Sequence, residues 1–329
     1  MDAKESINIL CNTDDNYVPY YGIMLTSLFE CNKDCRFEIY VFADDKLSKS
    51  NEEKLVELGR KYGNKVMVMP IDETKLKDCP VSKLNNLAEC SYLNLIAYYR
   101  LLAADLLPST VHKIIYLDGD MIINGDIRPL WNVDLEGKAI AFARDCDEVD
   151  KETERRLGYA SAEGYYNAGV AVYNLDYWRE REVSNRIFSF IREKGALLKY
   201  MDQDAVNGVL WGEKIALPAR FNFQVTYFAP YFWINYSDGF RKDLLEDCNK
   251  AVVIHYCCAL KPWDFRYYGG PFYDVWEKYR KMSLWKDARI TKPLKTYAKF
   301  MLKKALLPNR LKKQRQGLWV VLPENEMCY

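Results

Sequence analysis

The sequence predicts an α/β fold, a mostly parallel sheet with helices on both faces, and three observations carry that expectation. Strand-like and helix-like patterns alternate through the first half of the chain. Polar, acid-bearing segments follow the strand-like runs, where ligands gather in open α/β sheets. The composition is that of an ordinary globular protein: 329 residues, 49% hydrophobic and 28% charged, enough for one large domain or two small ones.

The elements follow in order. Ile7 to Cys11 reads as a strand, and Val18 to Cys31 as a helix with an apolar face at Tyr21, Met24, Leu25 and Leu28. Arg36 to Phe42 is a second strand. Lys49 to Tyr62 is a polar-faced helix with Leu55, Val56 and Leu58 apolar, and Lys65 to Ile71 a third strand. Leu93 to Leu106 has helical spacing. Lys113 to Leu117 is a fourth strand that runs into Asp118-Gly119-Asp120. Beyond it, Lys138 to Ala143 and Gly169 to Tyr173 are strand-like, and Leu175 to Lys194 reads as one long charged helix. Asp202 to Trp211 is a short helix and Ala251 to Tyr256 a strand. No internal repeat or low-complexity linker interrupts the chain. One catalytic domain, 1–282, with a basic C-terminal tail, 283–329, fits best.

Composition excludes several classes. No run of about 18 apolar residues marks a transmembrane helix. The opening MDAKESINILCNTDDNY lacks the apolar core of a signal peptide, so a cytosolic protein is expected. The ten Cys are scattered without paired C-x-x-C elements, which argues for small buried hydrophobes and against zinc. Aromatics reach 14%, with 25 Tyr, mostly for packing but with room to line a sugar groove. Net charge is +1, yet residues 289–316 hold ten Lys and Arg and no acid, leaving about −9 elsewhere. Leu294, Tyr297, Ala298, Met301 and Ala305 lie at helical spacing in this stretch, with lysines off that face. A basic amphipathic helix of this kind suits an anionic membrane surface. A helix packed on the catalytic domain would read the same way. No aromatic-interleaved motif points to nucleic acid.

Chemistry concentrates in few residues. In a strand, residues i and i+2 share a side, so Asp118 and Asp120 reach one hard cation together. Oxygen ligands of this type suit Mg²⁺ or Mn²⁺ shared with substrate phosphates. Two solvated turn acids would give the same spelling. The chain has two histidines. His255 ends the apolar Val252-Val253-Ile254 and has Lys261 six residues on. A His with two carboxylates suits a Mn²⁺-type site with open positions, and Lys261 a compact countercharge for a diphosphate. His112 has no such context and reads as a surface residue.

Seven segments in order strengthen this reading: NTDDNYVPY, AYYRLLAADLLP, KIIYLDGDMII, YYNAGVAVYNLDYWR, YMDQDAVN, RFNFQ and HYCCALKPW, spanning roughly residues 7–264. The chain resembles bacterial glycosyltransferases of family 8, close in pattern to the lipopolysaccharide galactosyl- and glucosyltransferases. The resemblance implies a GT-A type, Rossmann-like catalytic domain, a UDP-hexose donor and a Mn²⁺ cofactor, with Mg²⁺ as substitute. It implies that Asn12, Asp14, Asn16 and Tyr17 surround the uridine and that Arg100 contacts donor sugar and phosphate. Asp118, Asp120 and His255 match the metal ligands, with Gly119 between the acids, and Lys261 a diphosphate contact. Asn167, Ala168 and Gly169 match the loop at the donor sugar, Asp145 and Asp202 acids that hold its hydroxyls, and Gln203 the side chain near the reacting carbon. One departure is Cys258, where the family usually has a glycine that donates its N–H to phosphate.

The implied reaction is hexose transfer from UDP to a hydroxyl of a glycan or glycolipid such as lipopolysaccharide core, with retention of configuration. An amide at Gln203 is a poor nucleophile, which favours front-face attack over a covalent intermediate. The acceptor and the basic tail together imply a peripheral place on the inner face of the cytoplasmic membrane. A nucleotidyltransferase would need a Gly-rich basic signature near the N-terminus, and none is present. A degenerate UDP-sugar-binding protein is the remaining alternative, opposed by the intact Asp118, Asp120 and His255.

Overall fold

The computed structural model describes residues 6–80, 95–146, 151–257 and 260–288, with the pairs 301–302 and 305–306. Ten strands are present among them: β1 (Ile7–Thr13), β2 (Phe37–Ala43), β3 (Lys65–Pro70), β4 (Lys113–Leu117), β5 (Met121–Ile123), β6 (Ile140–Arg144), β7 (Tyr166–Asn174), β8 (Lys214–Leu217), β9 (Phe223–Gln224) and β10 (Val253–His255). Seven form one sheet in the order β3-β2-β1-β4-β7-β6-β8. The expected parallel rhythm holds from β3 to β4. β7 runs antiparallel to both neighbours, which the alternation of patterns did not reveal. A small second sheet has the order β5-β10-β9.

The period-2 pattern of β1 and β2 explains why the large sheet needs cover on both faces. Ile7, Ile9, Cys11, Phe37, Ile39 and Val41 face a core shared with the helices Val18–Cys31 and Lys49–Lys61. Leu10, Tyr40 and Phe42 face the opposite core, shared with Tyr98, Trp178, Ile187 and Val206. A third cluster of Ile122, Phe223, Ile254, Tyr256 and Trp276 lies at the small sheet. Ser48 accepts from Asn51 N to cap the helix Lys49–Lys61, and Arg60 and Lys61 close its last turn.

Some elements differ from their sequence reading. The expected helix Leu175 to Lys194 is two, Leu175–Glu180 and Val183–Lys194, because Glu182 takes a left-handed φ of 47° between them. Each piece buries its own stripe, so helical spacing alone runs across the break. The expected helix over 93–106 is wound as a 3₁₀ segment, Leu95–Leu102, before the short Ala103–Leu106. The tighter winding stacks Ala97 over Arg100, whose Nε donates to Ala97 O (3.1 Å). β5 and β9 are too short for periodicity to show. The helices Asp238–Cys248 and Tyr273–Met282 also went unread.

Cys11, Cys31, Cys35, Cys79, Cys146 and Cys257 are free thiols, whereas Cys248 is in a disulfide, which the reading of the cysteines as small buried hydrophobes did not anticipate. Packing continues past residue 282: Trp285 is buried against Gly22, where a Cβ would lie 2.1 Å from its ring. Of the expected basic helix, Met301, Leu302, Ala305 and Leu306 are helical and exposed, and the rest of 289–316 lies outside the described residues. No helix among the described residues is long and apolar enough to cross a membrane.

Candidate active site

The two sheets meet at Asp118-Gly119-Asp120. Asp118 N donates to Gly169 O at the head of β7 (3.0 Å), and Tyr256 N, just after β10, donates to Asp120 O (2.9 Å). β10 pairs antiparallel with β5, setting His255 opposite Met121 and so beside Asp120. Ligand atoms of Asp118, Asp120 and His255 all lie within 4.8 Å of one another, and His255 Nε2 is 3.3 Å from Asp120 Oδ1. Lys261 Nζ pairs with Asp120 Oδ2 and donates to Tyr256 O (2.9 Å). Burial pushes the Asp120 carboxyl up, but the neighbouring Lys261 charge outweighs it and holds it below the usual carboxylate range.

These residues fit a divalent cation. Two carboxylates and an imidazole are a suitable donor set, and the backbone opposite has no side chain. A Cβ on Gly169 would stand 2.4 Å from His255 Cε1 and 2.7 Å from Asp118 Oδ2. Gly119 is equally constrained, since a Cβ there would meet the Tyr21 ring at 2.8 Å.

A cleft of about 370 Å³ opens from this cluster across the carboxyl ends of β1 and β4. Asn12, Asp14, Asn16, Tyr17, Arg100, Asp118, Gly119, Asp120 and Lys261 all line it, so the structure gathers nine of the sequence-derived site residues in one cavity. Asp14 Oδ1 accepts from Tyr17 N (2.8 Å) and shapes the loop after β1. Asp15, which had no assigned role, ties that loop to Ser48 and Asn51. Asn12 donates to Ile96 O through Nδ2 (3.2 Å), and its buried Oδ1 has no partner among the described residues.

Arg100 is the hub. It is buried, and one Nη donates to Ala168 O while the other donates to Asp118 Oδ1 (3.3 Å). Its guanidinium lies 4.0 Å from the centre of the Tyr116 ring, and Tyr116 OH donates to Asp118 Oδ1 (2.5 Å). Arg100 Nε is 2.9 Å from Asp202 Oδ2, close enough for attraction. Its hydrogen, however, points to Ala97 O, which leaves that buried carboxylate oxygen without a hydrogen-bond donor among the described residues.

Asp202 is the second residue of the helix Met201–Leu210, whose first, Met201, has a strained φ of 48°. Asp204 holds this turn by accepting from Lys199 N (2.6 Å), Tyr200 N (3.0 Å), Tyr165 OH (2.7 Å) and Arg156. Burial pushes the Asp202 carboxyl up to about 6, against the opposing pull of Arg100. A raised acid binds its proton more tightly in the folded chain. Its stabilising contribution is therefore greatest at low pH and is lost as pH rises from about 4 through about 6. The loss is roughly 3 kcal/mol, at ~1.4 kcal/mol per unit. Asp202→Asn is thus expected to gain about that much on the parent between pH ~4 and ~7. Urea denaturation at the two pH values checks it, and an unchanged difference would count against the burial argument.

The remaining site residues join through hydrogen bonds. Asn167 Nδ2 and Gln203 Nε2 both donate to Asp145 Oδ2 (2.9 and 3.2 Å), and Gln203 Oε1 accepts from Ala168 N (3.0 Å). Cys258 lies outside the described residues. His112 sits on the surface beside Asp176 (2.9 Å), as its context predicts. Sequence reasoning assigned no role to Tyr21, Tyr116, Asn222 or Gln224. The last two lie in the quoted RFNFQ segment. Buried polar side chains in a short apolar stretch are the signal that marks them.

The family model for glycosyl transferase family 8 matches residues 8–266, most of the chain. The chain belongs to glycosyl transferase family 8. Membership makes it a glycosyltransferase, in line with its sequence reading. It is 27% identical to a lipopolysaccharide 1,2-glucosyltransferase of Escherichia coli, over 99% of this chain and 93% of that protein. It is 23% identical to a lipopolysaccharide 1,3-galactosyltransferase of Salmonella typhimurium, over 79% of this chain and 73% of that one. The galactosyltransferase LgtC, solved with donor and acceptor sugar analogs, shares the fold with a TM-score of 0.72 at 22% identity. The match covers 89% of this chain and all of that one. The family 8 chain thus has the GT-A fold expected of it.

Proposed function

We propose that the protein transfers a hexose, galactose or glucose, from a UDP-sugar to a hydroxyl of a glycan or glycolipid such as lipopolysaccharide core, with retention of configuration. The observation that carries the reading is the convergence of Asp118, Asp120 and His255 within 4.8 Å, at the mouth of a cleft that also holds Lys261 and Arg100. These three residues would hold Mn²⁺, or Mg²⁺ in its place. When bound, the cation would withdraw charge from the diphosphate leaving group.

The chain's own residues do the rest. Lys261 and Arg100 bring fixed positive charge to the place where negative charge develops. Tyr17 offers a ring to the uracil face, and Asn12 Oδ1, without a partner among the described residues, an acceptor to the base or ribose, beside Asp14 and Asn16. Asp202 and Asp145 hold donor hydroxyls, with the Asn167-Ala168-Gly169 backbone alongside. Both ends of the Gln203 amide are engaged, by Asp145 and Ala168 N, which supports its reading as an orienting group and not a nucleophile. Front-face attack follows, with the leaving phosphate taking the acceptor proton.

The deciding measurement is hydrolysis of UDP-galactose, UDP-glucose and UDP-N-acetylglucosamine with and without Mn²⁺. One of the two hexoses turned over only with metal is expected; turnover that survives chelation overturns the metal assignment. A cytoplasmic location on the inner membrane face, with residues 289–316 as the membrane contact, belongs to the same proposal. So does the division into a catalytic domain, 1–282, and a tail, 283–329. Flotation with anionic vesicles should be lost on truncation after residue 288, and equal flotation of both chains refutes the anchor.

A further inference from the structure

A hydrogen-bond chain runs from the sugar pocket to the histidine of the metal triad. Asp145 Oδ2 accepts from Asn167 Nδ2 (2.9 Å), Asn167 Oδ1 accepts from Asn222 Nδ2 (2.8 Å), and Asn222 Oδ1 lies 2.9 Å from His255 Nδ1. All four residues are buried, and Asn222 completely.

The direction of this chain is fixed from its charged end. A carboxylate only accepts, so Asn167 must turn its NH₂ to Asp145. That leaves Asn167 Oδ1 facing Asn222, and an independent contact agrees, since Gly169 N donates to that same oxygen (3.0 Å). Asn222 must then present its NH₂ to Asn167 and its carbonyl to His255. An amide carbonyl also only accepts, so His255 Nδ1 must carry a proton.

We propose that Asn222 is a positioning residue which, with Asn167, transmits the polarity of Asp145 to His255 and keeps the lone pair of Nε2 free for a cation. The proposal rests on Asp118, Asp120 and His255 being the metal ligands. It answers a competition visible in the geometry. Asp120 Oδ1, 3.3 Å from Nε2, draws the imidazole proton to the nitrogen that must stay bare. Asn222 draws it to the other. A ligating histidine held by such a partner commonly binds metal about 10–100-fold more tightly than one without it. The chain also joins the metal site to the sugar pocket, since Asp145 accepts from Gln203 as well.

The test uses the full chain labelled with ¹⁵N-histidine and free of metal. Only two imidazoles are present, and the exposed His112 serves as an internal reference. Long-range ¹H–¹⁵N spectra should show His255 Nδ1 protonated in the parent. In Asn222→Leu the proton should move to Nε2, and Mn²⁺ affinity by titration should fall about 10–100-fold. Asp145→Asn touches neither His255 nor the carboxylate ligands, yet it removes one of the two contacts that orient Asn167, leaving Gly169 N as the other, and should populate the Nε2–H form in part. A structural role for Asn222 alone would not do this. Unchanged His112 signals and a cooperative melt report that the variants are folded. A bare Nδ1 in the parent overturns the proposal, as does an Nδ1 proton that persists in Asn222→Leu. Persistence in Asp145→Asn alone overturns the relay. Failure of the parent to bind Mn²⁺ defeats the metal reading instead and leaves the proton positions as measured.

Discussion

Asp120→Asn is expected to lower metal-dependent turnover of the UDP-sugar by about 10³-fold or more, since developing charge would lose both a ligand and the field it anchors. The size follows from what Asp120 touches. One oxygen faces His255 Nε2 and the other is held by Lys261, so the carboxylate binds the triad together. Asparagine keeps the shape and one acceptor but removes the charge. Lys261 then loses its buried countercharge, at a stability cost on the order of 3 kcal/mol. Two measurements separate these effects. Urea denaturation reads the stability loss, and turnover below the midpoint temperature reads the chemistry. A variant that retains turnover within about tenfold of the parent would remove Asp120 from the ligand set. Excess Mn²⁺ should not rescue it, because a lost charge is not restored by mass action on the remaining ligands.

Arg100→Met is expected to fail for a different reason. The guanidinium divides its N–H groups among Ala168 O, Asp118 and Ala97 O while its charge lies beside Asp202. Methionine fills much of the volume and none of the charge. Asp202 and Asp118 then lose their shared cation, at a cost of about 3–5 kcal/mol. Catalysis should fall by about 10²–10³-fold on top of that, as for a missing donor at developing charge. Arg100→Lys should recover little, because one ammonium cannot span the separate acceptors that the planar fork reaches. Full recovery by lysine would show that charge alone matters and that the fork does not. In a KM-against-kcat comparison, a loss confined to KM would assign Arg100 to donor binding and not to the chemical step.

Much of this protein was legible locally. The apolar runs at β1, β2 and β4 mark buried strands, and the helical spacing at Val18–Cys31 and Lys49–Lys61 reports which face of each helix meets the core. The i, i+2 spacing of Asp118 and Asp120 needs only strand geometry. The seven ordered segments carried the family, and with it the site residues that line the cleft. What stayed illegible has physical reasons. The break at Glu182 is a single left-handed residue inside continuous helical spacing, and the antiparallel β7 reads like its parallel neighbours. β5 and β9 are shorter than any period.

By itself, then, the sequence determined the parallel α/β core, the paired acids at a strand end and the family. Those depend on short-range sterics and on which side of a segment is apolar. Only the tertiary structure decided that β10 pairs with β5, so that His255 arrives beside Asp120. It alone placed Asn222 between His255 and Asn167, and Arg100 between Asp118 and Asp202. Such meetings join segments far apart in the chain. They are selected by register and packing over the whole fold, and a local pattern carries no record of that selection.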